Sequence, residues 1–134
     1  GFGTNSLILL LWQLASAEQG ATVMMEEPEE HLHPRGQADL ASLLVDVAKA
    51  EHKQVIMTTH SEHIVGRLLT LVAEKTLAVD ELAIYAFEKD ELGVCTANQL
   101  EVIEDGRVKG DIKDFFEPEL AELDRYIRAL QAQK

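Results

Sequence analysis

Two short stretches of this 134-residue chain carry residues that could do chemistry. The first runs Val23-Met24-Met25-Glu26-Glu27-Pro28-Glu29-Glu30-His31-Leu32-His33-Pro34. An apolar run delivers two adjacent carboxylates, Glu26 and Glu27, into a loop rich in Glu and His. A carboxylate at the end of such a strand can hold Mg²⁺, usually through water, and a neighbour can orient or deprotonate an attacking water. The second stretch is Val55-Ile56-Met57-Thr58-Thr59-His60-Ser61, another apolar run with a His at its tip. In open α/β sheets, ligands bind at the carboxyl ends of the strands. Adjacent parallel strands bring their tips together, so the two stretches read as one site. A transition-metal reading places His31 and His33 with the glutamates around one ion. His-x-His puts the two rings on opposite sides of a strand but can converge in a loop. No Cys or Asp at ligand spacing supports that reading.

The elements that must position these residues follow from periodicity and punctuation. Residues 4–18 predict a strongly apolar helix, capped by Thr4, Asn5 or Ser6 and closed near Gly20. Apolar nearly all round, it predicts a buried helix, with Trp12 as core. Ala21 to Met25 predicts a central parallel strand. Pro34 suits the first turn of a helix that runs to about His52, with Leu40, Leu43, Leu44 and Val47 as its stripe. Val55 to Thr59 predicts a second strand. Ser61 caps the next helix, whose stripe is Ile64, Leu68, Leu71 and Val72. Strand, helix, strand, helix implies a right-handed parallel crossover. Beyond it, Ala83 to Glu88 and Val94 to Ile103 predict a hairpin turning at 89–93, and Asp105-Gly106 a further turn. A last helix opens at Pro118, with Leu120, Leu123, Ile127 and Leu130 on one face. The expected fold is α/β, a mostly parallel sheet with flanking helices and an antiparallel C-terminal extension. His52 and His63 are expected at the surface, and Cys95 as a packed thiol in its strand.

Composition narrows the function classes. With 46% hydrophobic and 27% charged residues the chain has enough apolar side chains for one core, which excludes wholesale disorder. The net charge is −12, and neither half is net basic. Phosphate contacts dominate nucleic-acid affinity, so this segment is expected to bind neither nucleic acid nor an anionic membrane directly. A single cysteine cannot form an internal disulfide, which fits a reducing, cytoplasmic setting. The apolar run Leu7 to Trp12 is far too short for a membrane span and lacks a basic leader.

The two tip motifs together resemble the C-terminal half of an ABC-type ATPase domain, in the group of predicted ATPases allied to RecF, SMC and overcoming-lysogenization-defect nucleases. The resemblance implies that the apolar strand and acidic pair form a Walker B motif. Glu26 would then be the Mg²⁺-associated carboxylate, although Asp is commoner there, and Glu27 the glutamate that orients water. Glu29 to Pro34, with His31 and His33, matches the D-loop, which lies across a dimer interface toward the nucleotide. Thr59-His60-Ser61 matches the H-loop, whose His contacts the γ-phosphate. Gly1-Phe2-Gly3-Thr4-Asn5-Ser6 resembles the end of the signature motif. There Gly3, Thr4 and Ser6 would reach the partner subunit's γ-phosphate from a helix N-terminus. The implied cofactors are ATP and Mg²⁺, and the implied assembly is a homodimer that sandwiches ATP.

No Gly-x-x-x-x-Gly-Lys-Ser/Thr occurs in the chain, so these residues hold no P-loop to cradle a β-phosphate. The whole chain, 1–134, therefore reads as one C-terminal lobe carrying hydrolytic residues without the main nucleotide grip, inactive alone. Two other function classes remain open at this point. One is a non-catalytic dimerisation module. The other is a metal-dependent hydrolase acting directly through Glu26, Glu27, His31 and His60.

Overall fold

The computed structural model describes residues 2–90 and 92–109, with side chains from residue 7 onward. The helix expected after Pro118 lies outside the described residues. The first helix, α1, spans Phe2–Ser16. It begins ahead of the expected Thr4–Ser6 cap, which puts all three of those residues inside the helix. Strand β1 (Thr22–Glu26) and strand β2 (Gln54–Thr58) pair in parallel, with Thr22 opposite Gln54 and Glu26 opposite Thr58. Between them runs α2, Pro34–Glu51. Its N-cap is His33, whose Nδ1 accepts from the Arg35 backbone N–H at 3.4 Å, and Pro34 occupies the first turn. Its C-cap, His52, takes a left-handed conformation (φ 51°) and ends the helix.

Helix α3 spans Glu62–Ala73 and is capped by Ser61, whose Oγ accepts from the Ile64 N–H at 3.0 Å. A 3₁₀ turn at Val79–Glu81 leads into β3 (Ile84–Lys89), β4 (Cys95–Val102) and the short β5 (Val108–Lys109). These three form an antiparallel sheet of their own, in the order β3-β4-β5. The α/β class with a parallel pair, flanking helices and an antiparallel extension is as expected. Among the described residues the two sheets are not hydrogen-bonded to each other.

The core has two parts. Leu14 of α1, Val23 of β1 and Leu40 and Leu44 of α2 form one cluster. Ala41 and Val45 of α2 pack with Ile64, Leu68, Leu71 and Val72 of α3 and with Leu77 in the other. Met57 of β2 touches both, and Val102 of β4 packs on the second. The α3 stripe is buried as expected. On α2 the buried line is Leu40, Ala41, Leu44 and Val45, while Leu43 turns outward. Lys53 is buried and donates through Nζ to the Leu14 carbonyl at 2.7 Å, while ion-paired with Glu51. That contact ties the end of α1 to the turn between α2 and β2, and it satisfies a charge that would otherwise be costly to bury.

Three further side chains depart from the sequence expectation. Trp12 is 69% exposed, and Ile8 and Leu9 beside it are exposed too, because the described part of α1 packs on the core through Leu7, Leu10 and Leu14, with Ala17 just past its end. Among the described residues, from Leu7 onward, the apolar helix is thus buried on one side. Cys95 is also exposed, since β4 is open to solvent along most of its length. His63 is half-buried rather than at the open surface. The β1–β2 sheet is covered on one face. Met24, 68% exposed, and its register partner Ile56 share the other face, which the described residues leave bare. Parallel sheets are ordinarily covered on both faces.

Candidate functional site

The site is built where two strands end. Strand β1 stops at Glu26, and the chain turns at once: Glu27 takes φ 40°, a left-handed value unusual for a residue with a Cβ. Its N–H donates to the Thr58 carbonyl at 3.0 Å, so the turn is held by the neighbouring strand. The next turn closes when Glu30 N–H donates to the Glu27 carbonyl at 3.0 Å and Leu32 N–H to the Glu29 carbonyl at 2.9 Å. His31 is also left-handed, with φ 68°. Two such residues within one short loop, each costing about 1–3 kcal/mol, mark a backbone that tertiary contacts over-determine.

The result brings Glu27 to His60. The Glu27 Oε1 and His60 Nε2 atoms are 3.5 Å apart, with the His60 ring largely in solvent. An exposed pair of this kind adds little to stability, so its interest is chemical. Glu26 lies opposite Thr58 and shares the sheet face of Met24, the bare one.

Below the pair lies a network that the sequence reading did not foresee. Glu29 is only 7% exposed. Its Oε1 accepts from the Thr59 hydroxyl and from the His60 backbone N–H, the latter at 3.1 Å. Thr59 Oγ1 in turn accepts from Ser61 N–H at 2.9 Å. Ser61 Oγ donates to Gln37 Oε1 at 2.6 Å, and Gln37 Nε2 donates to the Leu32 carbonyl at 2.9 Å. The Glu29 Oε2 atom is buried without a hydrogen-bond partner. A cleft of ≈ 330 Å³ opens over this network, lined by Glu27, Glu29, His31, Gln37, His60 and Ser61 among others.

Of the residues singled out in sequence, Glu27, His60 and His31 meet at this cleft, and Glu26 stands beside it on the sheet face. His33 does not line it and serves as the α2 cap instead. The side chains of Gly3, Thr4 and Ser6 lie outside the described residues. In sequence Glu29 enters only as the first residue of the stretch that matches the D-loop, and Gln37 only as a position in the helix that opens at Pro34. The available signals were a third acid straight after Pro28 and an amide one turn into a Pro-started helix, and neither spacing names a partner. Among the described residues, no three His, Cys, Asp or Glu side chains come together as a metal site. The transition-metal arrangement therefore finds no built cage there. Among them, too, no helix is long and apolar enough to cross a membrane.

Residues 1–65 match the family model of an AAA ATPase domain. The match spans α1 through the start of α3 and includes Glu26, Glu27, Glu29 and His60. It supports a P-loop ATPase type of domain, and with it nucleotide use and ATP hydrolysis in general terms. No curated protein and no solved structure matches the chain.

Proposed function

We propose that this chain supplies the water-activating side of an ABC-type ATPase site, and that a P-loop lobe carried elsewhere supplies the phosphate grip. The observation that carries this reading is the approach of Glu27 to His60, 3.5 Å apart across the tips of two paired parallel strands. Phosphoryl transfer to water depends mostly on positioning and charge neutralisation. In this reading Glu27, exposed at the tip of the loop, accepts a hydrogen bond from the attacking water and aims it. His60, on the opposite strand tip, donates toward the γ-phosphate. The strained Glu27 backbone keeps the carboxylate at the strand end rather than letting it fold back.

Glu26 suits the metal that accompanies ATP. It offers a hard carboxylate oxygen, which Mg²⁺ prefers, and Mg²⁺ commonly takes only one or two carboxylates plus water and phosphate oxygens. When bound, Mg²⁺ would neutralise charge on the phosphates. The bare face shared by Met24, Ile56 and Glu26 supports a second lobe seated there, since apolar strand residues are seldom left in water. The D-loop assignment of His31 and His33, the signature assignment of Gly3, Thr4 and Ser6, and an ATP-sandwich homodimer in the cytoplasm all belong to the same proposal. His33, busy as a helix cap, would act there through the loop's shape.

The test is calorimetry with Mg-ATP, first on the 134-residue chain, then on the chain joined to a P-loop lobe. The expected result is no tight binding by the chain alone, and binding with hydrolysis once the lobe is present. Micromolar binding by the chain alone would overturn the division of labour. Failure of the joined protein to hydrolyse ATP would overturn the catalytic reading.

A further inference from the structure

We infer that Glu29 is the positioning residue of this site, a carboxylate latch that fastens the loop carrying His60 to the loop carrying Glu27. The catalytic consequence rests on the ATPase reading above; the latch itself rests on geometry alone. Glu29 sits two residues after Glu27, at the bottom of the same turn. One of its oxygens takes both the Thr59 hydroxyl and the His60 backbone N–H. Among the described residues the Glu29 carboxylate is the acceptor of that His60 N–H, so it fixes where the β2–α3 connection runs. Hydrogen bonds to a charged acceptor are roughly twice as strong as neutral ones.

A second feature points the same way. The other carboxylate oxygen is buried with no partner. Such an atom destabilises a fold, and each instance in a native protein calls for an explanation. A smaller or apolar residue would avoid the cost. Retaining the carboxylate makes sense if what matters is the crossed contact between the two loops. The network then continues through Ser61 and Gln37 to the Leu32 carbonyl, back in the first loop. Two points of the first loop, Glu29 and Leu32, are therefore tied to the segment 59–61, the second through Gln37. The His60 ring is itself largely exposed, so its packing does little to hold it in place. Its distance from Glu27 is thus set from below, through the backbone.

The experiment compares wild type, Glu29→Gln and Glu29→Ala in two measurements. The first is amide hydrogen exchange of the 134-residue chain. Glu29→Ala should speed exchange of the His60 amide about 10- to 100-fold, relative to the Ile64 and Leu68 amides. Glu29→Gln retains an acceptor oxygen and should keep most of the protection. Unchanged His60 exchange, or a uniform rise across α3, would overturn the latch, the latter by showing a general loss of stability. The second is ATP turnover of the chain joined to its P-loop lobe. Displacing a catalytic group by about 1 Å can cost on the order of 10²-fold in rate. Glu29→Ala should lower kcat by that order with KM nearly unchanged, and Glu29→Gln should recover part of it. Normal kcat in Glu29→Ala despite a freed His60 amide would overturn the catalytic role. If the joined wild type hydrolyses no ATP, the ATPase reading fails and the catalytic role with it, while the exchange data still decide the latch.

Discussion

Glu27 and His60 face each other at 3.5 Å although 32 residues separate them, because β1 and β2 run parallel and in register to their last pair, Glu26 opposite Thr58. Each residue is the first or second beyond its strand, so any slip in register would part them. Shifting a strand by one residue would also turn Val23 and Met25 from the core toward solvent. The same apolar contacts that bury one face of the sheet therefore hold the polar tips together.

The two adjacent acids should fail differently. Glu27→Gln keeps the shape and removes the charge that aligns water, so nucleotide should still bind while turnover falls about 10²–10⁴-fold. Glu26→Gln should instead weaken Mg-ATP binding. Affinity and turnover, measured side by side for the chain joined to a P-loop lobe, check this. Normal hydrolysis by both variants would reduce the acidic loop to a solvated turn.

Backbone strain at Glu27 can be read separately from its carboxylate. Glu27→Ala and Glu27→Gly both delete the side chain, but only glycine takes φ 40° freely. The glycine variant should be the more stable by about 1 kcal/mol in chemical denaturation. Equal stabilities would mean that the left-handed turn stores no strain.

Gly106 is a second test of backbone placement. It has φ 78°, and a Cβ there would lie 2.3 Å from the Leu69 carbonyl oxygen and 2.9 Å from the Ala73 Cβ. Gly20 has the same φ with nothing within 4 Å. Gly20→Ala should therefore cost only the conformational penalty, about 1 kcal/mol. Gly106→Ala should cost a further 1–3 kcal/mol, roughly, because the turn before β5 must lift off α3. Thermal or urea unfolding of the two variants decides it, and equal losses would count against that packing.

Acid should loosen the surface ties first. The Ala78 backbone N–H, then Lys49, hold the Glu81 carboxyl below its ordinary value of 4.5. Arg107 does the same for Asp105, whose ordinary value is 3.8. A lowered pKa in the folded state means that the unfolded chain takes up protons first. The stabilisation is therefore full above those ordinary values and fades as pH falls below them. Both groups are open to solvent, so the effect should be small. Glu81→Gln should flatten the upper part of that decline, seen as a smaller change in melting temperature between pH 5 and about pH 4. An unchanged slope would show that the contacts of the Glu81 carboxylate with the Ala78 N–H and Lys49 carry no weight.

Periodicity alone determined the order of β1, α2, β2 and α3, because each buries a repeating apolar face: Leu40 and Leu44 on α2, and Ile64, Leu68, Leu71 and Val72 on α3. It also determined that Glu27 and His60 would end neighbouring strands, since a parallel crossover leaves few other placements. The α1 helix shows the limit of such patterns. Its composition is apolar on every side, which says that it can be buried but not which side meets a partner; only packing against Val23 and Leu40 decided that Leu14 goes in and Trp12 stays out. The Glu29 latch lay further beyond reach. A loop carboxylate finds its donors by where two turns happen to meet, and Thr59 and His60 come within reach of Glu29 only after both strands have paired.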